Sequence, residues 1–145
     1  MNRFSRVTGR RLATALALCA GLALAGTADV FAGSASPGDK VTLVSSEPLP
    51  NLPGQRLTTV LVDYEPGGKS IAHRHAGSVM AYILEGSIRS QLKGGEARVY
   101  HAGEAFFEPP DGEHVVSENA SETEPAKLLA IFVAPEGAKL TEFEK

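Results

Sequence analysis

The 145-residue chain has one cysteine and no tryptophan. Cys19, that single cysteine, lies near the amino terminus inside an apolar stretch. Beyond residue 32 there is no cysteine, so no disulfide and no thiol nucleophile is available there, and stability must come from a packed core. Helical periodicity is also missing from that part, which excludes a helical bundle. Basic residues are scarce. Of 14 Lys+Arg against 17 Asp+Glu, four arginines (Arg3, Arg6, Arg10 and Arg11) fall in the first 32 residues. The remaining chain is strongly acidic and will not be drawn to phosphate backbones, so nucleic-acid binding is excluded as a function class.

Residues 1–32 read as a cleavable signal peptide. A basic start precedes an apolar stretch from Leu12 to Ala25, and Ala25, Ala28 and Ala32 offer small residues for a signal peptidase. The stretch is too short and alanine-rich to span the ~30 Å of a bilayer interior, so no stable membrane anchor is expected. Gly9 and Ala13 suit a twin-arginine signal poorly, and Leu18 stands where a lipoprotein signal needs a small residue before its cysteine. General secretion is the expected route, to the periplasm or outside the cell.

Residues 33–55 are rich in proline, glycine and serine and are predicted to form a flexible arm holding one short strand, KVTLVSS. Residues 56–135 are patterned as strands throughout. Short β-branched and aromatic runs (LTTVLVDY, SIRSQL, AFFE, HVVSEN, KLLAIFVA) alternate with the turn signals EPGGK, EGS, KGGE, HAGE and PPDGE. Turns recurring at roughly ten-residue spacing indicate an all-β sandwich or barrel in one domain. KLLAIFVA is apolar at every position but its lysine, so a central strand covered on both faces is expected there. Residues 136–145 are left as a carboxy-terminal tail.

What the chain does have is histidine in a telling arrangement. His73 and His75 stand at i and i+2, and on a strand such residues project from the same face. Two imidazoles held in parallel can share a cation at ~2.0–2.1 Å. His114 follows the tight turn PPDG and opens another strand, from which it can face the pair; His101 sits alone in a turn and is expected to be solvated.

These residues resemble the two signatures of the cupin superfamily. Gly67, five residues, His73-x-His75 and then Gly86 resemble the first; Gly103, five residues, Pro109, His114 and Asn119 resemble the second. The resemblance implies a small single-domain cupin: a conical antiparallel barrel of the jelly-roll kind, with a divalent transition metal (Fe, Mn, Ni, Cu or Zn) on His73, His75 and His114. Two positions depart from the pattern. Val79 stands where the family has a metal-binding glutamate, and Asp111 where it has glycine. Glu108 and Gln91 are the candidate oxygen donors in place of that glutamate, with a solvated or wall-lining role expected for both. Three neutral histidines would leave a dication its full charge and favour an anionic small ligand. Relatives with three-histidine sites include thiol and diketone dioxygenases, so the implied activity is a dioxygenase-like or Lewis-acid enzyme. The alternative is a non-catalytic module that binds a metal or small ligand. Cupins of this size commonly pair, and a homodimer is expected.

Overall fold

The computed structural model describes residues 38–144, so the signal-peptide expectation lies outside the described residues. Among them there is no helix. Ten strands form two antiparallel five-stranded sheets, and among the described residues no helix is long and apolar enough to cross a membrane.

The first sheet has the order β1 (Asp39–Pro48), β2 (Gln55–Tyr64), β9 (Ala126–Pro135), β4 (Ser78–Glu85), β7 (Ala105–Glu108). The second runs β10 (Thr141–Phe143), β3 (His73–His75), β8 (Glu113–Asn119), β5 (Ser87–Leu92), β6 (Arg98–His101). The period-two pattern explains how they face each other. Val60, Val62 and Tyr64 of β2, Val79, Ala81 and Ile83 of β4, and Leu128, Ala130 and Phe132 of β9 are all buried, while the residues between them are more exposed. Burying one face of each strand is what holds its register, since a one-residue slip would turn the whole apolar set to water. The result is the single-domain β-barrel that the strand spacing predicts.

Gly86 links the two sheets. It takes φ 69° between β4 and β5, and a side chain there would press on the backbone of Pro125 and Ala126. Both demands favour glycine.

The strand expected in the arm lies at a sheet edge, and part of the tail also pairs with the barrel. β1 pairs with β2 from Asp39 to Pro48, with a bulge between Leu43 and Ser45, and so forms a sheet edge. Residues 141–143 of the tail form β10, which pairs with the histidine strand: Thr141 lies opposite His75 and Phe143 opposite His73. As for KLLAIFVA, β9 is indeed central, with β2 on one side and β4 on the other. Its outward residues Leu129, Ile131 and Val133 are only half-buried, because no described segment lies over that face.

Candidate metal centre

Sheet pairing brings the three histidines together. His73 and His75 project inward from β3, both buried, with ring centroids 4.8 Å apart. β8 pairs with β3 so that His114 lies opposite His73, at a centroid distance of 5.1 Å. Directly opposed residues on neighbouring strands share a face. His114 is 2 % exposed, the most enclosed of the three.

The fourth member comes from the other sheet. Glu108, at the end of β7, is 3 % exposed, and its Oε2 lies 3.1 Å from His114 Nδ1 and 3.6 Å from His75 Nε2. Glu108 is therefore buried beside the histidines rather than solvated, and the group that could hold a metal has four members. The physical reason is register: Glu108 lies directly opposite Val79 in the β4–β7 pair. A carboxylate there reaches the same side of the sheet as one at Val79. Gln91 does not join them. It lies one residue beyond inward-facing Ser90, and its Nε2 donates to the carbonyl of Gly95 at the surface. His101 is exposed at the end of β6, away from the cluster.

One ligand atom from each of His73, His75, Glu108 and His114 lies within 4.8 Å of every other. Inward shifts of a few tenths of an ångström would suit a dication bonded at ~2.0–2.2 Å. The remaining ring nitrogens are already engaged. His73 Nδ1 donates to the Ile71 carbonyl (2.7 Å) and His75 Nδ1 to the Leu140 carbonyl (2.9 Å), which leaves each Nε2 as a lone pair facing the cavity. His114 is reversed. Ser90 Oγ lies 2.8 Å from its Nε2, and the tautomer that donates there presents Nδ1 instead. Such outer hydrogen bonds fix tautomer and ring orientation in metal sites.

Within the cluster, two buried atoms have no hydrogen-bond partner: Glu108 Oε2 and His114 Nδ1. Their 3.1 Å approach is close but poorly directed. Buried polar atoms left unpaired are costly, and a cation shared between them would remove that cost. The donor set therefore fits a metal.

Electrostatics keep the set ready to coordinate. Burial, aided by repulsion from His75, pushes the His73 imidazole down to about 4, and burial also lowers His75. Burial by itself would raise the Glu108 carboxyl, but His114, His75 and His73 outweigh it and hold the group below its usual value. Neutral imidazoles and an ionised carboxylate are the forms that bind metal.

Local backbone features place these side chains. The turn from β7 to β8 holds Asp111 at φ 60°, and its N–H donates to the His75 carbonyl at 2.8 Å. This left-handed conformation explains why the family pattern has glycine there, and aspartate is among the residues that tolerate it. Asn119 plays a different part. Its Nδ2 donates to the Glu65 and Glu124 carbonyls and its Oδ1 accepts from Ser121 N–H, so it pins the loop before β9 rather than a metal.

The cluster opens into a cavity of about 90 Å³ lined by both sheets. Val60, Val62, Ala81, Phe106, Leu128 and Phe132 make its wall mostly apolar. At about 10–15 Å³ of such space per water, it holds a ligand of only a handful of heavy atoms.

Comparisons with known proteins agree with this fold. The family model described as "Cupin domain" matches residues 60–132. Among solved structures, an RmlC-like cupin from Shewanella frigidimarina is similar at TM-score 0.53 and 23 % identity, covering 69 % of this chain and 79 % of its own. KdgF from Halomonas sp. gives TM-score 0.57 and 21 % identity, covering 72 % of this chain and 86 % of its own. The DMSP lyase DddQ from Ruegeria pomeroyi gives 0.60 and 16 %, covering 73 % of this chain but only 51 % of its own, so this chain spans about half its length. No curated protein matches the chain. At these identities the likeness is one of fold, and with the family match over half of the sequence it leads to one conclusion: the chain belongs to the cupin family.

Proposed function

We propose that this protein holds a divalent transition metal on His73, His75, Glu108 and His114 and uses it as a Lewis acid toward a small ligand in the cavity. The observation that carries this reading is the convergence of four buried ligand atoms, two of them unpaired, on one point. A bound dication would polarise an oxygen of the ligand and stabilise negative charge developing on it.

The chain's own residues supply the rest. Glu108 leaves the centre one net positive charge, enough to favour a carboxylate or enolate over a neutral molecule. It also removes the charge argument that pointed toward three-histidine dioxygenases. Apolar walls exclude water, and Tyr64, whose hydroxyl burial pushes up and so keeps protonated, lines the same cavity as a proton donor. Lyase chemistry on this fold, as in the DMSP lyase of Ruegeria pomeroyi, is consistent with a Lewis-acid role.

The proposal extends to place and assembly. The basic, apolar, alanine-rich first 32 residues support export. Met80, Tyr82 and Phe107 are 44 %, 41 % and 54 % exposed on the outer face of the first sheet, beside Leu129 and Ile131. Such an apolar patch supports a homodimer that packs these sheets together.

Elemental analysis of protein purified from its native compartment tests the central point. One transition metal per chain is expected, together with turnover of a small carboxylate or enol that stops on chelation and returns with metal. Metal-free protein from that compartment would contradict the proposal.

A further inference from the structure

At another part of the cavity lies a second polar group, built by β1, β2 and β8 rather than by the histidine strand. Asp39, Tyr64, Ser70 and Ser117 all line it. They form a continuous chain. Ser70 Oγ donates to Asp39 Oδ2 (2.6 Å), Tyr64 OH lies 2.8 Å from Ser70 Oγ, and Ser117 Oγ lies 2.9 Å from Tyr64 OH. The other carboxylate oxygen, Asp39 Oδ1, is buried and has no hydrogen-bond partner.

The position of Asp39 is tightly set. It lies opposite Tyr64 in the β1–β2 pair, so both face inward. Immediately before it, Gly38 accepts a hydrogen bond from Glu65 N–H at 2.9 Å and packs so closely on Gly68 that a side chain at Gly68 would collide with its carbonyl. Ser70 is held in turn by its N–H, which donates to the Ser117 carbonyl at 2.9 Å. The hydrogen bond from Ser70 holds the carboxylate toward the cavity.

An enclosed carboxylate oxygen needs a donor. Among the described residues no lysine or arginine lines the cavity, whose basic side chains are the three histidines of the candidate metal centre. A ligand in the cavity is placed to supply the compensating donor. We infer that Asp39 forms the second anchor of the ligand site and selects small molecules that carry a protonated amine as well as a metal-binding carboxylate or enolate. This deepens the proposed function and rests on it for the metal-bound end. A cationic N–H donor satisfies Oδ1 and neutralises its charge at once, which a hydroxyl does only in part. The small cavity limits the ligand to a short zwitterion.

Calorimetric titration of protein loaded with one zinc ion per chain tests this, using pairs that differ by the ammonium group: β-alanine against propionate, and γ-aminobutyrate against butyrate. In one pair at least, the amino acid should bind about tenfold more tightly or better, as a charge-assisted hydrogen bond allows. Asp39→Asn should abolish that advantage, with the plain carboxylates binding at least as tightly as to wild type, because the amide keeps the shape and loses a charge that repels them. Three results would overturn the inference: no advantage in either pair, an advantage retained by Asp39→Asn, or 3-hydroxypropionate binding as tightly as β-alanine. Should the chain take up no zinc, the metal reading fails by itself. Asp39 is then judged on metal-free protein, where methylammonium chloride should raise the melting temperature of wild type more than that of Asp39→Asn; an equal shift in both would overturn the inference too.

Discussion

The two sheets contribute to the candidate metal centre in different ways. The second sheet supplies His73, His75 and His114 from strands paired side by side, two of them in a local i, i+2 motif. The first supplies Glu108 alone, from a strand end whose neighbour carries Val79 where the family pattern puts the acid. The histidine half follows the pattern position by position. The carboxylate half keeps the chemistry and moves it one strand over. What a metal needs is an oxygen at a point in space, and the two opposed positions of this antiparallel pair face the same side of the sheet.

The largest expected effect breaks the histidine half. His114→Ala removes a candidate ligand and leaves Ser90 without its partner in a buried site. Metal should fall below a tenth of stoichiometry by elemental analysis, and denaturant melts of the metal-free protein should show a loss of about 2–4 kcal/mol. Glu108→Gln sharpens the contrast with the other half. The shape is kept and the charge lost, so the fold should persist while metal affinity drops on the order of 100-fold in a chelator competition. Unchanged affinity would mean that the first sheet contributes only wall.

Acid titration yields a smaller effect. His73 is lowered to about 4 from its ordinary 6.5, and Glu108 is also lowered. Between pH 6.5 and about 4 the unfolded chain carries a proton on His73 that the folded chain does not. Stability of the metal-free protein is therefore complete above pH 6.5 and is lost as pH falls through this window, by about 3 kcal/mol at most for this group. Loss of ionised Glu108 at lower pH acts in the same direction. Stability that rose on acidification would contradict the buried, neutral histidines. Smallest of all, His101→Ala and Gln91→Ala should leave metal content unchanged and alter stability by less than about 0.5 kcal/mol, as expected for surface positions.

Much of this was legible in the sequence, and the reason is locality. Strand period, turn chemistry and the H-x-H spacing are short-range features, and they gave the fold and the three histidines. The role of Glu108 depends on how β4 and β7 align, a pairing of residues far apart in the chain that no local pattern encodes. One signal was present: Glu108 closes AFFE just ahead of PPDG-E-His114, so the acid and the third histidine flank one short turn. The tail was illegible for a similar reason. Residues 141–143 are too short to read as a strand, yet Leu140 fixes the tautomer of His75 and Phe143 packs 5.9 Å from His73.

The most direct test of the central claim is a metal-binding titration of the exchanged pair. In Glu108→Val the carboxylate is lost, and affinity should fall on the order of 100-fold. In the double variant Val79→Glu, Glu108→Val the acid returns at the opposed position of the same strand pair, and affinity should recover to within about tenfold of wild type. Val79→Glu by itself places two carboxylates side by side and should melt lower than wild type without metal. A double variant that binds no better than Glu108→Val would contradict the account, since Val79 and Glu108 would then not address one metal.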